Sequence, residues 1–184
     1  MSENSNLFLI GFMGTGKTAI GKRLSHALGK KFIDTDDEIE KVTKMSISQI
    51  FLRHGEFRFR SEEKLALRKA CTHDNAVIAT GGGAVLSEEN TKLMTDTGRI
   101  LCLTARPEVI QRRVKRRDDR PLLHRDKSIE KIKELLDERV PYYEKYAEAF
   151  FDTSDDEHDK VVERILEHLG ERKTHGGAQN SAGG

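Results

Sequence analysis

LFLIGFMGTGKT, residues 7–18, is the stretch that decides the fold of this 184-residue chain. Its first four residues form a continuous apolar run, which is typical of a buried parallel strand. Residues 11–18 fit the pattern G-x-x-x-x-G-K-[ST], in which glycines allow successive backbone N–H groups to point at phosphate oxygens. The apolar spacing of Lys17–Leu28 predicts a helix directly behind this loop, and its N-terminus favours a bound anion. The stretch therefore predicts a strand, a phosphate-binding loop and a helix.

The phosphate-binding pattern assigns roles to the two side chains that close it. Lys17 would reach the β- and γ-phosphates of a nucleotide, and the hydroxyl of Thr18 would bind Mg²⁺. The other residues predicted to contact the phosphates of the nucleotide are Gly14, Thr15, Gly16 and Ala19. The alternative is a glycine-rich turn between a strand and a helix that happens to carry a lysine.

Outward from this stretch, short apolar runs alternate with segments of helical length. The predicted strands are residues 7–10, 31–34, 76–79, 99–104 and 149–152, and the predicted helices include residues 17–28, 38–44, 56–72 and 155–169. Strands separated by helices indicate βαβ units and a parallel sheet that is covered on both faces. Ligands of such sheets bind at the carboxyl ends of the strands. We therefore expect the chemistry directly after Ile10, Asp34, Ala79 and Thr104.

Two carboxylates, Asp34 and Asp36, stand at the end of the second predicted strand. Positions two apart share one side of a strand if the strand geometry continues that far. One carboxylate beside Mg²⁺ and one beside a substrate hydroxyl would suit phosphoryl transfer, which needs a metal and an oriented nucleophile. The alternative is that Asp36 caps the following helix.

A glycine run and a set of arginines complete the candidate site. Residues 81–83 are three successive glycines, which predict close backbone approach to a ligand, with a flexible loop as the alternative. Arginine forks bind carboxylates and phosphates, and the candidates are Arg58, Arg60, Arg120 and Arg139. The basic run at residues 112–117 precedes Arg120 in a poorly patterned segment and predicts a mobile lid over phosphates. A solvated face or a weak nucleic-acid patch is the alternative for this run.

The overall composition excludes several classes of protein. Lysine and arginine total 32 against 31 acidic residues, which argues against a dedicated nucleic-acid or polybasic membrane binder. The apolar runs are far shorter than a membrane span, and the amino terminus does not resemble a secretory signal. The two cysteines, Cys71 and Cys102, suggest no disulfide framework. We expect a cytoplasmic protein without a membrane or nucleic-acid partner, and a disordered tail at residues 171–184.

Taken in order, six motifs resemble the shikimate kinase family. They are residues 11–18, 34–36, 55–63, 81–83, 120–123 and 139–143, and the resemblance spans residues 6–169. It implies one α/β domain, residues 1–170, with the three-layer P-loop kinase fold of the nucleoside-monophosphate-kinase type. That fold has a five-stranded parallel sheet, a helical substrate-binding insert at about residues 35–72 and a mobile lid at about residues 113–127.

The resemblance also implies Mg²⁺- and ATP-dependent phosphorylation of the 3-hydroxyl of shikimate, on the route to chorismate. Lys17 would hold the transferring phosphate, Asp34 would support the metal together with Thr18, and Asp36 would be the candidate base. The substrate carboxylate would lie between Arg60 and Arg139, and the Gly82 N–H would contact the substrate.

The resemblance also implies which residues act in the lid and which lie beside the adenine of the nucleotide. Arg120 would close on the γ-phosphate, Arg113 would stack on adenine, and Thr153 would lie in the adenine-side loop. Arg58 stays an alternative to Arg60, although the spacing to Glu63 favours Arg60. We expect a monomer. The alternative functions are a related small-molecule kinase, for gluconate or a nucleoside monophosphate, and a nucleotide-dependent regulator whose basic run contacts nucleic acid.

Overall fold

A computed structural model of the chain describes residues 5–116, 126–155 and 157–170. The strands within these ranges are β1 (Asn6–Ile10), β2 (Lys31–Asp34), β3 (Ala76–Ala79), β4 (Gly98–Thr104) and β5 (Ala149–Asp152). They form one sheet in the order β2-β3-β1-β4-β5, and every neighbouring pair is parallel. The predicted five-stranded parallel sheet is therefore confirmed, with strand limits within one residue of those expected.

The helices connect the strands and cover both faces of the sheet. Those of the described ranges are α1 (Lys17–Leu28), α2 (Thr35–Thr43), α3 (Ile47–Ala70), α4 (Glu88–Thr97), α5 (Pro107–Lys115), α6 (Ile129–Asp137), α7 (Val140–Tyr146) and α8 (His158–Leu169), with a 3-10 turn at Ala84–Leu86. On one face, Leu9 packs in a cluster with Leu24 of α1 and Ile165 of α8. On the other face, Phe8 packs in a cluster with side chains of α3, α4 and α7. Alternate residues of β1 thus face opposite layers, as the pleat of a strand requires.

Three helix limits differ from the sequence prediction, each for a local reason. Helix α2 begins at Thr35 rather than at residue 38, because the Asp34 carboxylate accepts from the Asp36 amide and caps the first turn. Helix α3 continues upstream to Ile47 across Gly55, whose φ of 77° breaks the helical path there. Helix α8 begins at His158 rather than at residue 155.

The late start of α8 follows from the hydrogen bonds of the turn before it. Both the amide and the hydroxyl of Ser154 donate to Asp152, and the same hydroxyl accepts from the amide of Arg106. Asp155 forms an ion pair with the Arg106 side chain. These bonds hold the turn against the end of β4 and keep it out of the helix. Pro141 lies in the first turn of α7, where a backbone N–H has no helical partner to lose.

Two predicted segments fall outside the described residues. They are residues 117–125 of the expected lid, which include Arg120, and the expected tail at residues 171–184. Among the helices that are described, none is long and apolar enough to cross a membrane.

The buried side chain of Asn6 joins the beginnings of β1 and β3. Its Nδ2 donates to the carbonyl oxygen of His73 over 2.7 Å, and its Oδ1 accepts from the amide of Ala76 over 2.9 Å. The two strands then continue in register, with Leu7 opposite Val77. Asn6 therefore aligns the two strands whose carboxyl ends carry the phosphate-binding loop and the glycine run.

Replacing Asn6 with alanine should lower the free energy of unfolding by about 1–3 kcal/mol, because the buried Ala76 amide loses its acceptor. Urea denaturation measures this change. Lys92→Ala serves as the control, since the Lys92 side chain is 77% exposed, and should shift stability by less than about 0.5 kcal/mol. A loss in Asn6→Ala no larger than in the control would contradict the alignment role.

Candidate active site

A cavity of about 500 Å³ opens at the carboxyl ends of β1, β2 and β3. The loop between β1 and α1, the first turn of α2, the kinked helix α3 and the glycine run after β3 all line it, together with side chains at the ends of α5, α7 and α8. This is the place where parallel α/β sheets bind ligands. The cavity thus lies after Ile10, Asp34 and Ala79, three of the four positions where the sequence predicts the chemistry, and its described lining includes no residue directly after the fourth, Thr104.

The phosphate-binding loop forms one end of the cavity. Gly14 and Gly16 take φ values of 80° and 93°, a region that favours glycine. The Lys17 ammonium donates to the carbonyl oxygens of Gly11 and Phe12, over 2.8 and 2.9 Å. These bonds hold the lysine against its own loop, at the edge of the space that phosphates would fill.

Arg113 and Thr153, both predicted on the adenine side, meet beside this loop. The Arg113 guanidinium donates to the carbonyl oxygen of Gly14 over 3.1 Å, and to the hydroxyl and carbonyl oxygens of Thr153 over 3.0 and 2.6 Å. Burial lowers the pKa of Arg113. Arg113 lines the cavity, whereas Thr153 is buried behind it and serves to orient the arginine.

Asp34 links the nucleotide end of the cavity to the first turn of α2. Its Oδ2 accepts from the Thr18 hydroxyl over 2.7 Å, and its Oδ1 accepts from the Asp36 amide over 3.1 Å. The strand does not continue from Asp34 to Asp36, because α2 begins at Thr35, and the residue that caps α2 is Asp34 rather than Asp36. Both carboxylates nevertheless line the same cavity.

The oxygen atoms of Thr18 and Asp34 fit Mg²⁺, which prefers hard oxygen ligands. Within the described ranges, no group of three or more acidic, histidine or cysteine side chains is placed to hold a metal. A small protein donor set is what Mg²⁺ requires when phosphate oxygens and water complete its shell.

Arg60 stands at the other end of the cavity and Arg58 does not. Arg60 donates to Glu56 and to Glu63, and its side chain is 26% exposed. Arg58 pairs with Glu62 on the outer side of α3, and its side chain is 60% exposed. The structure therefore places Arg60 in the cavity, as the spacing to Glu63 favoured.

Arg139 is buried next to the phosphate-binding loop. It is 2% exposed, and its guanidinium lies over the ring of Phe12, 5.1 Å from the centroid. Among the described residues, its Nε and Nη1 have no hydrogen-bond partner. Burial and the nearby Arg60 lower the pKa of Arg139. A buried arginine beside a partly exposed one at one end of a cavity makes a site for an anion, and a carboxylate can accept from both.

The glycine run passes so close to other side chains that a larger residue would require those side chains to shift. A Cβ on Gly81 would lie 2.6 Å from Oε1 of Glu63, and one on Gly83 would lie 2.6 Å from Nη1 of Arg60. The close neighbours at these two positions are protein side chains, and the approach of a ligand to the glycine run stays a prediction. Gly82 is partly exposed and faces the cavity.

Comparison with known proteins places this site in a family. The family model for shikimate kinase matches residues 13–170 of the chain. The chain belongs to the shikimate kinase family. It is 53% identical to a shikimate kinase of Pelotomaculum thermopropionicum over 166 residues, which cover 90% of this chain and 96% of that relative. Membership confirms the resemblance seen in the six motifs and the predicted class of ATP-dependent kinase.

Solved structures of shikimate kinases share the fold. A shikimate kinase from Acinetobacter baumannii in complex with shikimate is 33% identical, with a TM-score of 0.87 over 91% of this chain and 93% of that one. The shikimate kinase of Aquifex aeolicus is 36% identical, with a TM-score of 0.78 over 90% of this chain and 96% of that one. The predicted three-layer P-loop kinase fold is therefore confirmed.

Two side chains at this cavity were not predicted as functional. Glu63 is 1% exposed and forms an ion pair with Arg60. In the sequence, only its position three residues after Arg60 indicated a role. Burial raises the pKa of Glu63, while Arg60 opposes that shift. His158, the first residue of α8, lines the cavity beside Gly16, and burial lowers its pKa. No pattern in the sequence distinguishes this histidine from a surface residue.

Replacing Arg60 with alanine should make stability fall more steeply with rising pH. The folded-state pKa of Glu63 lies above its ordinary value of 4.5, so folding favours the protonated form and stability decreases as pH rises above that value. Without Arg60, which lowers this pKa, the decrease should be larger. We expect little loss near about pH 5 and a loss of about 1–3 kcal/mol near about pH 7, measured by urea denaturation.

The Glu63→Gln background is the control for this experiment. There the carboxyl group is absent, so the Arg60→Ala substitution should cost the same at both pH values. An equal loss at both pH values in the chain that retains Glu63 would contradict the coupling of the two side chains.

Proposed function

We propose that this chain transfers the γ-phosphoryl group of ATP to the 3-hydroxyl of shikimate, which yields shikimate 3-phosphate and ADP on the route to chorismate and the aromatic amino acids. The observation that carries this proposal is one cavity that joins a phosphate-binding loop to the buried Arg139 and the partly exposed Arg60. The loop suits ATP, and the arginines suit a carboxylate. The family membership of the chain and the shikimate complex of its Acinetobacter baumannii relative support the same pairing.

The nucleotide would bind at the loop end of the cavity. Backbone N–H groups around Gly14, Thr15, Gly16 and Ala19 would face the phosphates, and Lys17 would exchange carbonyl contacts for the transferring phosphoryl group. Thr18 and Asp34 would hold Mg²⁺, which neutralises phosphate charge when it is bound. Arg113, already oriented by Thr153, would stack on the adenine.

The acceptor would bind at the arginine end. Arg60 and Arg139 would donate to the shikimate carboxylate, and the Gly82 amide would donate to a substrate oxygen. This fixes the ring at one end, so that a hydroxyl at the other end reaches towards the phosphate-binding loop. Such positioning supplies much of the rate acceleration in phosphoryl transfer, because the transition state requires alignment more than covalent help.

Asp36 would act on the reacting hydroxyl. It lines the cavity in the first turn of α2, and its Oδ1 lies beside the glycine run. In this position the carboxylate accepts the hydrogen bond of the 3-hydroxyl and takes its proton as the new O–P bond forms. Arg120, which lies outside the described residues, would close over the γ-phosphate with the lid and exclude water.

Initial rates with a panel of acceptors test the proposed reaction directly. ATP consumption is measured with shikimate, gluconate and nucleoside monophosphates at equal concentration. We expect a rate with shikimate alone, because the chain belongs to the shikimate kinase family, whereas the arginine pair by itself would suit any hydroxylated acid, gluconate included. A high rate with gluconate and none with shikimate would replace the proposal by its nearest rival. Nucleic-acid binding that falls steeply with salt would favour the regulatory alternative instead.

Replacing Asp36 with asparagine should lower kcat by about 10²–10⁴-fold, because the acceptor of the hydroxyl proton is lost. Steady-state kinetics with shikimate and ATP measure this change. Asp37→Asn is the matched control, since Asp37 is the next residue of α2 and lines the same cavity. It should lower kcat by less than about tenfold. An equal decrease of kcat in the two variants would contradict the proposal that Asp36 is the base.

Arg60→Ala and Arg58→Ala form a matched pair for the carboxylate site. Loss of Arg60 should raise the KM for shikimate by about 30-fold or more, since it unpairs a desolvated carboxylate, and should leave the KM for ATP nearly unchanged. Loss of Arg58, which points outward from α3, should leave both values unchanged. A larger effect from Arg58 than from Arg60 would reverse the assignment.

We further propose that the chain acts as a monomer in the cytoplasm and that residues 1–170 form one domain. Sedimentation of the purified chain with and without both substrates tests the oligomeric state. A mass of twice the monomer under assay conditions would contradict it.

A further inference from the structure

The hydroxyl group of Tyr143 reaches from helix α7 to the glycine run. It donates to the carbonyl oxygen of Gly82 over 2.8 Å, across 61 residues of sequence. The Tyr143 ring is buried in the core cluster that includes Phe8, Ile10 and Leu67. A buried polar tip on an apolar ring is held in place by the packing of the ring, so its hydrogen bond has a fixed direction.

The glycine run needs such bonds because it has no side chains of its own to hold it. The Gly81 carbonyl accepts from the amide of Ala84 over 3.1 Å, and the Gly83 carbonyl accepts from the amide of Leu86 over 3.0 Å. Both bonds come from the backbone of the same turn. The Gly82 carbonyl differs, because its donor is the side chain of Tyr143.

Two peptide planes flank Gly82 and together set its orientation. The plane before it includes the Gly81 carbonyl and is held by Ala84, and the plane after it includes the Gly82 carbonyl and is held by Tyr143. The Gly82 amide itself donates to no acceptor in the described part of the chain, and the residue lines the cavity. Without Tyr143, the glycine would keep the wide rotational freedom that its missing Cβ allows.

The same tyrosine is also one helical turn from the buried arginine of the carboxylate site. Arg139 precedes α7, and its carbonyl oxygen accepts from the Tyr143 amide over 3.0 Å. The hydroxyl bond to Gly82 therefore fixes the distance between the first turn of α7 and the glycine run. These are the two places from which Arg139 and the Gly82 amide would reach the acceptor.

We propose that Tyr143 is a positioning residue, which holds the Gly82 amide and Arg139 in the mutual arrangement that the acceptor requires. The inference rests on the proposed function, because that function assigns both groups to shikimate. The Tyr143 hydroxyl itself touches the Gly82 carbonyl and acts through it. Burial raises the pKa of Tyr143 well above its ordinary value, so the hydroxyl remains protonated and remains a donor.

Tyr143→Phe tests the inference, because it removes the hydroxyl and keeps the buried ring. Steady-state kinetics are measured for both substrates, together with the midpoint of thermal unfolding. We expect the KM for shikimate to rise about tenfold, which corresponds to about 1.4 kcal/mol, while the KM for ATP changes by less than about twofold. The value of kcat should fall by less than about threefold, since the groups around the phosphates are untouched.

Tyr142→Phe is the matched control on the same helix. Tyr142 is 39% exposed, whereas Tyr143 is 4% exposed, so the control loses the same atom without losing the Gly82 bond. It should leave both KM values and the unfolding midpoint unchanged.

The possible outcomes separate this inference from the proposed function. An unchanged KM for shikimate with a lowered unfolding midpoint would make Tyr143 a purely structural residue and overturn the inference. An equal rise in both KM values would indicate general distortion and would also overturn it. If the unsubstituted chain does not phosphorylate shikimate, the proposed function fails and the inference fails with it.

Discussion

The site depends on the close contact between Gly11 and the neighbouring strand β4. Gly11 has a φ of 131°, and a Cβ at this position would lie 2.1 Å from the carbonyl oxygen of Leu103. Side chains larger than hydrogen would therefore force β1 away from β4 or change the direction in which the chain leaves the sheet. Because β1 lies between β3 and β4, such a shift would disturb both pairings at the edge where the cavity opens. The path of the phosphate-binding loop is thus set by backbone packing before any ligand contact is considered.

From that loop, polar contacts rather than apolar packing connect the nucleotide end to the acceptor end. Asp34 accepts from Thr18 in α1 and from the amide of Asp36 in α2, so one carboxylate joins the two helix starts. On the opposite side, Phe12 of the loop lies under the guanidinium of Arg139. A movement of the phosphate-binding loop would consequently shift both the Asp34 carboxylate and the Arg139 guanidinium.

The sequence predicts the sheet well because each strand is a short apolar run that ends in a distinctive turn. It also predicts which elements carry the site, since parallel strands place their carboxyl ends at one edge. The sequence predicts helix limits less accurately where a polar side chain determines the first residue of a helix. Asp34 begins α2 earlier than the apolar pattern suggests, and Asp152 with Ser154 delays α8, because side-chain hydrogen bonds to the backbone carry no periodicity.

The site residues, too, include some that the sequence can predict and some that it cannot. The choice between Arg58 and Arg60 becomes visible only when the direction of each side chain on α3 is known, although the spacing to Glu63 gives a hint. Tyr143 makes a long-range contact to the backbone of Gly82. Such contacts join distant parts of the chain, so a local pattern cannot reveal them.

The charges at the acceptor end explain how the site can select an acid. Arg139 is almost completely removed from water, and Arg60 is shared between a buried and an exposed glutamate. Burying these cations is unfavourable, and the buried Glu63 offsets only part of the cost because it pairs with Arg60 and not with Arg139. An acceptor with a carboxylate completes the set of charges, whereas an uncharged polyol of similar size leaves Arg139 uncompensated. In the proposed site, discrimination for an acid would therefore come from the desolvation of Arg139 already present in the folded protein, and an arginine on an open surface would provide much less of it.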